Sequence, residues 1–152
     1  MIRTWTVVCE QVDEADGLLN LTHAGAMELT MPDDRRALRL GVVVFTDFDV
    51  EDLDTTPLVG VEFGRLHSEG TAIEPLEVLL EEAEGNGPSR SNGVIVSLTL
   101  SDAYRSIAPK LGGRVSTPFH FRTEELSPGI YGILTSVNGK ASSQAMVHLV
   151  KE

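Results

Sequence analysis

The chain has 152 residues, 41% of them hydrophobic, which suffices for one buried core and makes one domain over residues 1–152 the default expectation. Its formal net charge is −11, from 23 acidic against 12 basic residues. That balance argues against nucleic-acid and anionic-membrane partners, both of which need a basic footprint, and suits a cationic or protein partner instead. Cys9 is the lone cysteine, so no internal disulfide can form and nothing points to an oxidising compartment. The apolar run near the start, Val7-Val8-Cys9, is three residues long, against about 7–15 for a secretory signal and about 20 for a membrane span. The expected location is therefore the cytoplasm, where the sequon Asn20-Leu21-Thr22 is inert.

Short runs rich in β-branched and aromatic residues, separated by turn chemistry, predict strands along most of the chain. In residues 2–12, Trp5, Val7 and Cys9 alternate with Thr4, Thr6 and Val8, and the first row is the expected core face. Asp16-Gly17 breaks that run, and residues 18–30 read as a strand kinked near Gly25. Residues 37–46 are almost continuously apolar, as a central strand buried on both faces would be. Residues 57–66 alternate Val59, Val61 and Phe63 with Leu58, Gly60 and Glu62, and a hairpin through residues 67–70 leads into residues 71–73.

Over residues 75–84, Leu76, Leu79, Leu80 and Ala83 recur at helical spacing behind Pro75, which predicts a short helix. The rival reading is a strand through Leu76, Val78 and Leu80. Residues 85–93 read as a loop, and residues 101–108 as one or two helical turns ending before Pro109. Further strands are expected at 94–100, 115–122, 130–137 and 142–150. Asn138-Gly139 between the last two is a strong hairpin signal, because a type I′ turn needs positive φ at both central residues. Eight or nine short strands at this spacing predict a mostly-β, antiparallel sandwich with up to two short helical segments.

Two stretches carry a resemblance. Asp16-Gly17-Leu18-Leu19-Asn20 resembles the "DGKLN" opening of an uncharacterised family of small bacterial β-sandwich proteins. Pro128-Gly129-Ile130-Tyr131, followed by Asn138-Gly139 and a last strand, resembles that family's closing hairpin. The resemblance implies a sandwich fold and brings no catalytic residues with it.

No phosphate-cradling glycine loop and no nucleophile elbow appears, and His23, His67, His120 and His148 stand outside metal-ligand spacing of one another. Cys9 reads as a packed thiol, and Gly112-Gly113-Arg114 as a turn between strands rather than an anion cradle. The expectation is a protein that is not an enzyme and needs no cofactor.

The acidic loops are the more informative feature. Five carboxylates lie within residues 47–54 and three within residues 13–16. If residues 2–12, 18–30 and 37–46 were successive antiparallel strands, both loops would share one end of the sandwich. Asp13, Asp16, Asp47, Asp49, Asp52 and Asp54 would then form either a solvated patch that docks a basic partner or a calcium site, since Ca²⁺ takes six to eight oxygens. The loop region with Arg105, Lys110 and Arg114, together with Lys140 at the last hairpin, suggests an opposing basic end and head-to-tail stacking that weakens with salt. The function these features favour is a non-enzymatic interaction or structural module within a homo- or hetero-assembly. A calcium-dependent binding module is the alternative.

Overall fold

The structure is a computed structural model and describes residues 1–16, 18–25, 28–31, 39–66, 73–81, 89–100, 112–122 and 126–151. The described residues form thirteen strands in chain order. They are β1 (Ile2–Cys9), β2 (Gln11–Ala15), β3 (Leu18–Thr22), β4 (Glu28–Met31), β5 (Arg39–Phe48), β6 (Leu58–Leu66) and β7 (Ile73–Pro75). Then follow β8 (Val78–Glu81), β9 (Ser89–Ser91), β10 (Gly93–Ser97), β11 (Gly113–Arg122), β12 (Gly129–Val137) and β13 (Lys140–Lys151). The one helical element described is a 3-10 turn at Val50–Asp52.

The chain is a mostly-β sandwich. One sheet has the order β1-β5-β11-β8-β9, and the other β10-β6-β12-β13-β4 with β7 also on β6. All described pairings are antiparallel except that of β13 with β4, which is parallel. β2 and β3 form a separate hairpin.

The core lies between the two sheets. β5 contributes Leu40, Val42, Val44 and Phe48, β6 contributes Val59, Val61 and Phe63, and β12 contributes Tyr131 and Ile133. The ring of Phe63 stacks on Phe121 at 5.4 Å and on Tyr131 at 5.6 Å, so three strands from both sheets meet at one aromatic column. The Tyr131 hydroxyl, at the polar end of that column, donates to the Ser127 carbonyl at 2.6 Å.

Several expectations need correction. Trp5, Val7 and Cys9 do not face the core; Thr4, Thr6 and Val8 do, with Thr4 and Val8 buried and Trp5 58% exposed. The polar row can be the inner one because the opposite sheet answers it with hydroxyls. Thr4 Oγ1 meets Ser142 Oγ and Ser143 Oγ at 2.8 Å each, and Thr6 Oγ1 meets Thr135 Oγ1 and Ser143 Oγ at 2.9 Å each. A register shift makes this possible: Thr135 pairs with Ser143 and Ser136 with Ala141, leaving Ser142 as an extra residue in β13. Such a bulge lets neighbouring side chains reach the same side of a strand.

Cys9 is buried all the same, on the outer face of its sheet. The β2–β3 hairpin folds over that face, so that Cys9, Val12 and Val43 form a small second core with Leu19, Leu21 and Phe45 against it. Gly41 provides the clearance, since a Cβ there would sit 2.8 Å from Val12 Cγ2 and 2.9 Å from Cys9 Sγ.

Residues 2–12 are thus two strands, and residues 18–30 are β3 and β4 rather than one kinked strand. Of the helix expected over 75–84, residues 82–84 lie outside the described residues, and the rest is replaced by the end of β7 and by β8, with Val78 and Leu80 turned inward, Leu80 paired to Phe121 of β11 and Val78 to Ser91 of β9. The alternation of Val78 and Leu80 outweighs the helical spacing because β11 offers an edge for them to pair with. β9 lies within the expected loop 85–93, and Ile95, β-branched within the strand expected at 94–100, is 72% exposed. The helical turns expected at 101–108 and the turn at 67–70 lie outside the described residues, although β6 and β7 do pair antiparallel as a hairpin requires. The turn at Asn138-Gly139 has φ values of 50° and 82°, as a type I′ turn demands.

The aromatic column supports a direct test. Phe63→Ala removes the ring shared by both stacks and is expected to lower stability by about 3–5 kcal/mol in urea denaturation; a loss under about 1 kcal/mol would show that the column is not central to the core.

Candidate functional site

The two acidic loops are not brought together as expected. That expectation required residues 2–12, 18–30 and 37–46 to be successive strands of one sheet, whereas β1 pairs directly with β5 and the segment between them makes its own hairpin. Asp13 lies on the hairpin, where Gln11 Nε2 donates to both its carboxylate oxygens at 3.0 Å. Asp16 occupies the hairpin turn with φ 54°.

On the other loop, the α-amino group of Met1 donates to Asp49 Oδ2 at 2.7 Å and to Asp52 Oδ2 at 2.6 Å. Hydrogen bonding to Asp49, and then to Asp52, raises that amine to a pKa of about 10, and the same contact lowers the Asp49 carboxyl. Asp54 follows the 3-10 turn and is exposed. Among the described residues no group of three or more His, Cys, Asp or Glu side chains is placed to hold a metal ion.

Asp47 leaves the acidic loop altogether. It lies near the end of β5 on the outer face of the sheet, level with Arg114 of β11. Arg114 grips it with both arms of the guanidinium, Nε to Oδ1 at 2.5 Å and an Nη to Oδ2 at 2.9 Å. The Trp5 indole N–H donates to the same Oδ2 at 2.9 Å. Arg114 also lies over the Phe45 ring, 5.7 Å from its centroid. Arg114 is therefore engaged and does not belong to a free basic end, while Arg105 and Lys110 lie outside the described residues.

The outcome is an exposed indole fixed by a carboxylate that is itself fixed by an arginine. Phe45 pairs with Trp5 across β1 and β5 and supports the base of the cluster. Beside Trp5 runs a groove of about 750 Å³ between β1 and the last hairpin, edged by Arg3, Thr4, Val137 and Lys140. Residue spacing did not point to this cluster, because it assigned Trp5 to the core row. The available signal was Trp5 in β1 and Asp47 in β5, which an antiparallel pairing of those strands brings near each other.

A second groove, of about 690 Å³, lies on the outer face of the other sheet. Gly60 and Gly93 contribute to its floor, and Glu62, Ile95, Leu134 and Ser136 border it.

Among the described residues, the cysteine and the histidines each have a partner or a cover. Burial pushes the Cys9 thiol up to about 11, and its S–H donates to the Gly41 carbonyl at 3.4 Å. Phe119 and Phe121 are buried, and His120 between them faces outward. It is half-covered by the hairpin, with Nε2 3.1 Å from the Val12 carbonyl. His23 is hydrogen-bonded to Glu10, and His148 lies 3.8 Å from Glu28. His67 lies outside the described residues. Gly112, with φ 71°, makes a turn closed against Phe48, where a Cβ would stand 2.4 Å from the Phe48 carbonyl oxygen. No helix among the described residues is long and apolar enough to cross a membrane.

No protein-family model matches the chain, and neither does any curated protein. Among solved structures, an immunoglobulin-like protein of Pseudomonas aeruginosa is similar to it, covering 99% of this chain and 97% of that one at 12% identity with a TM-score of 0.43. A likeness of that degree adds nothing to the strand pairing on which the fold rests.

The indole cluster has a pH signature. The Arg114 hydrogen bonds, with a smaller contribution from Trp5, hold the Asp47 carboxyl below its ordinary value. A carboxylate lowered in the folded state gives its stabilisation above the unfolded value and loses it as pH falls through the folded one. Trp5 is the sole tryptophan, so its fluorescence reports the site. The emission is expected to hold steady down through about pH 4, the usual Asp range, and to change below it; in Asp47→Asn this step is absent. A step of the same size in the variant would show that Asp47 does not anchor the indole.

Proposed function

We propose that the chain is a non-enzymatic interaction module, a single β-sandwich domain that docks a protein partner through the Trp5 surface. The observation that carries this reading is the locked, exposed indole. An aromatic ring of this size left in water costs solvation free energy in the isolated molecule. Here it is also tied by Asp47 and Arg114, so little side-chain freedom is lost when a partner covers it. Tryptophan and arginine are the residue types most enriched where binding energy concentrates at protein interfaces. The groove beside Trp5 extends the surface toward Lys140 and gives a partner somewhere to seat.

The case against catalysis rests on the engagement of the reactive groups. Cys9 is buried and held in its thiol form, His120 faces a backbone carbonyl, and Asp47, Asp49 and Asp52 are bound to cations of the chain itself. The calcium alternative calls on Asp13, Asp16, Asp47, Asp49, Asp52 and Asp54 as one group, and the separation of the hairpin acids from the rest removes its main support. The charge of −11 remains an argument for a partner without a polyanionic surface, and cytoplasmic residence remains part of the proposal.

The test is affinity capture from the cells that make the protein, using the unmodified chain and Trp5→Ala, with circular dichroism to confirm that both are folded. A protein held by the first and lost or weakened at least tenfold by the second supports the reading. Identical capture by both would overturn the role given to Trp5.

A further inference from the structure

The sandwich has open edges, and natural sheets usually protect theirs with charge, proline, shortness or cover. Three of the described edge positions in the two main sheets follow that rule. β9 is three residues long and carries Arg90, β4 is four residues long and carries Glu28, and β7 carries Glu74 and Pro75. β1 is roofed by the bulge of β13, where Ser142 Oγ accepts from the Thr4 backbone N–H at 3.2 Å and from its hydroxyl at 2.8 Å. β10 is the exception. Its sequence, Gly93-Val94-Ile95-Val96-Ser97, contains no charge and no proline, and Ile95 is 72% exposed.

The hydrogen-bond phase of β10 shows which backbone groups are open. Phe63 N–H donates to the Asn92 carbonyl at 2.7 Å, and Leu98 N–H to the Pro57 carbonyl at 3.1 Å. In an antiparallel ladder alternate residues face the same neighbour. Asn92, Val94, Val96 and Leu98 therefore face β6, and Gly93, Ile95 and Ser97 face outward. The Gly93 groups are already satisfied by the Ser91 hydroxyl, at 3.2 Å to its N–H and 2.6 Å to its carbonyl. Among the described residues, what remains without a partner is the N–H and C=O of Ile95 and of Ser97.

These four groups are self-complementary. A two-fold axis through Val96 sets Ile95 opposite Ser97 of a second copy and Ser97 opposite its Ile95. Each such pair exchanges two backbone hydrogen bonds, so all eight groups of the two copies are satisfied and the Ser91 cap on Gly93 is undisturbed. No charged side chain lies on either strand, so the pairing opposes no like charges, whereas copies carrying −11 each repel over most other approaches. We propose that two copies of this chain join edge to edge through β10, antiparallel about Val96, to make one continuous sheet across the dimer.

The electrostatics give this dimer a sign opposite to that of head-to-tail stacking. Its contact is uncharged while the bodies repel, so screening by salt strengthens it. The inference is independent of the Trp5 surface, which lies on the other sheet.

The experiment is sedimentation or light scattering across a concentration series in low salt and in about 0.5 M salt, where the Debye length falls below the 8 Å of physiological buffer. The 16.5 kDa chain is expected to shift to twice that mass as concentration rises, and at lower concentration when salt is added. Ile95→Lys and Ser97→Pro, which alter outward positions without removing a bond to β6, are expected to remain at 16.5 kDa. Both should keep the far-ultraviolet spectrum of the parent, and Trp5→Ala should still dimerise. Neither variant adds negative charge, so greater repulsion cannot account for the loss. A parent chain that stays monomeric in both salts at millimolar concentration overturns the proposal, as does a dimer that survives both variants.

Discussion

β5 is paired on both edges, to β1 and to β11, and buried on both faces for most of its length. Few strands in a two-layer sandwich meet that condition, because the outer face of each sheet ordinarily meets water. Its inner residues Leu40, Val42, Val44 and Phe48 are satisfied by the opposite sheet. The outer ones, Val43 and Phe45, need a cover that the second sheet cannot supply. The β2–β3 hairpin covers Val43 with Val12, and Phe45 packs partly against that cluster and lies below Arg114. From this single requirement follow the burial of Cys9 away from the main core, the glycine at position 41, and the placing of Trp5 at the point where the cover gives way to solvent.

Much of this architecture was legible in the residue pattern. The apolar run of β5, the alternation of Val59, Val61 and Phe63, and the Asn138-Gly139 turn each carry a local signal strong enough to stand alone. Asp16-Gly17 carries the same type of hairpin signal, and treating it only as a break conceals the pairing of β2 with β3. The face assignment of β1 failed for a different reason. Counting apolar residues favours Trp5, Val7 and Cys9, and no local rule reveals that Thr4 and Thr6 find hydroxyl partners some 130 residues later in the chain, with |i−j| from 129 to 139. Ile95 is β-branched and flanked by valines, so it reads as core, although its strand sits at an edge with that side chain turned outward.

The same local patterns conceal the Trp5 cluster. With Trp5 on the inward row, the arginine and aspartate that hold it have no evident purpose, and the acidic residues group only by proximity in sequence. In the fold Asp47 belongs to the sheet face, Asp49 and Asp52 to the Met1 amine, and Asp13 to the hairpin. Chemistry expressed through a loop composition became chemistry expressed through strand register. The two features that result are a fixed aromatic on one sheet and an unprotected edge on the other, and the proposed contacts with other proteins rest on them.

β5 and β10 are opposite extremes of one hydrogen-bonding pattern, and native-state amide exchange on a dilute, monomeric sample compares them directly. In β5, alternate amides point to β1 and β11, so protection should be continuous from Leu40 to Asp47. In β10, Val94 and Val96 should be protected through β6 while Ile95 and Ser97 exchange close to the unprotected rate. That alternation beside an unbroken run in β5 is the result the account predicts. Equal protection of Ile95 and Val96, or a gap in the run along β5, would contradict it.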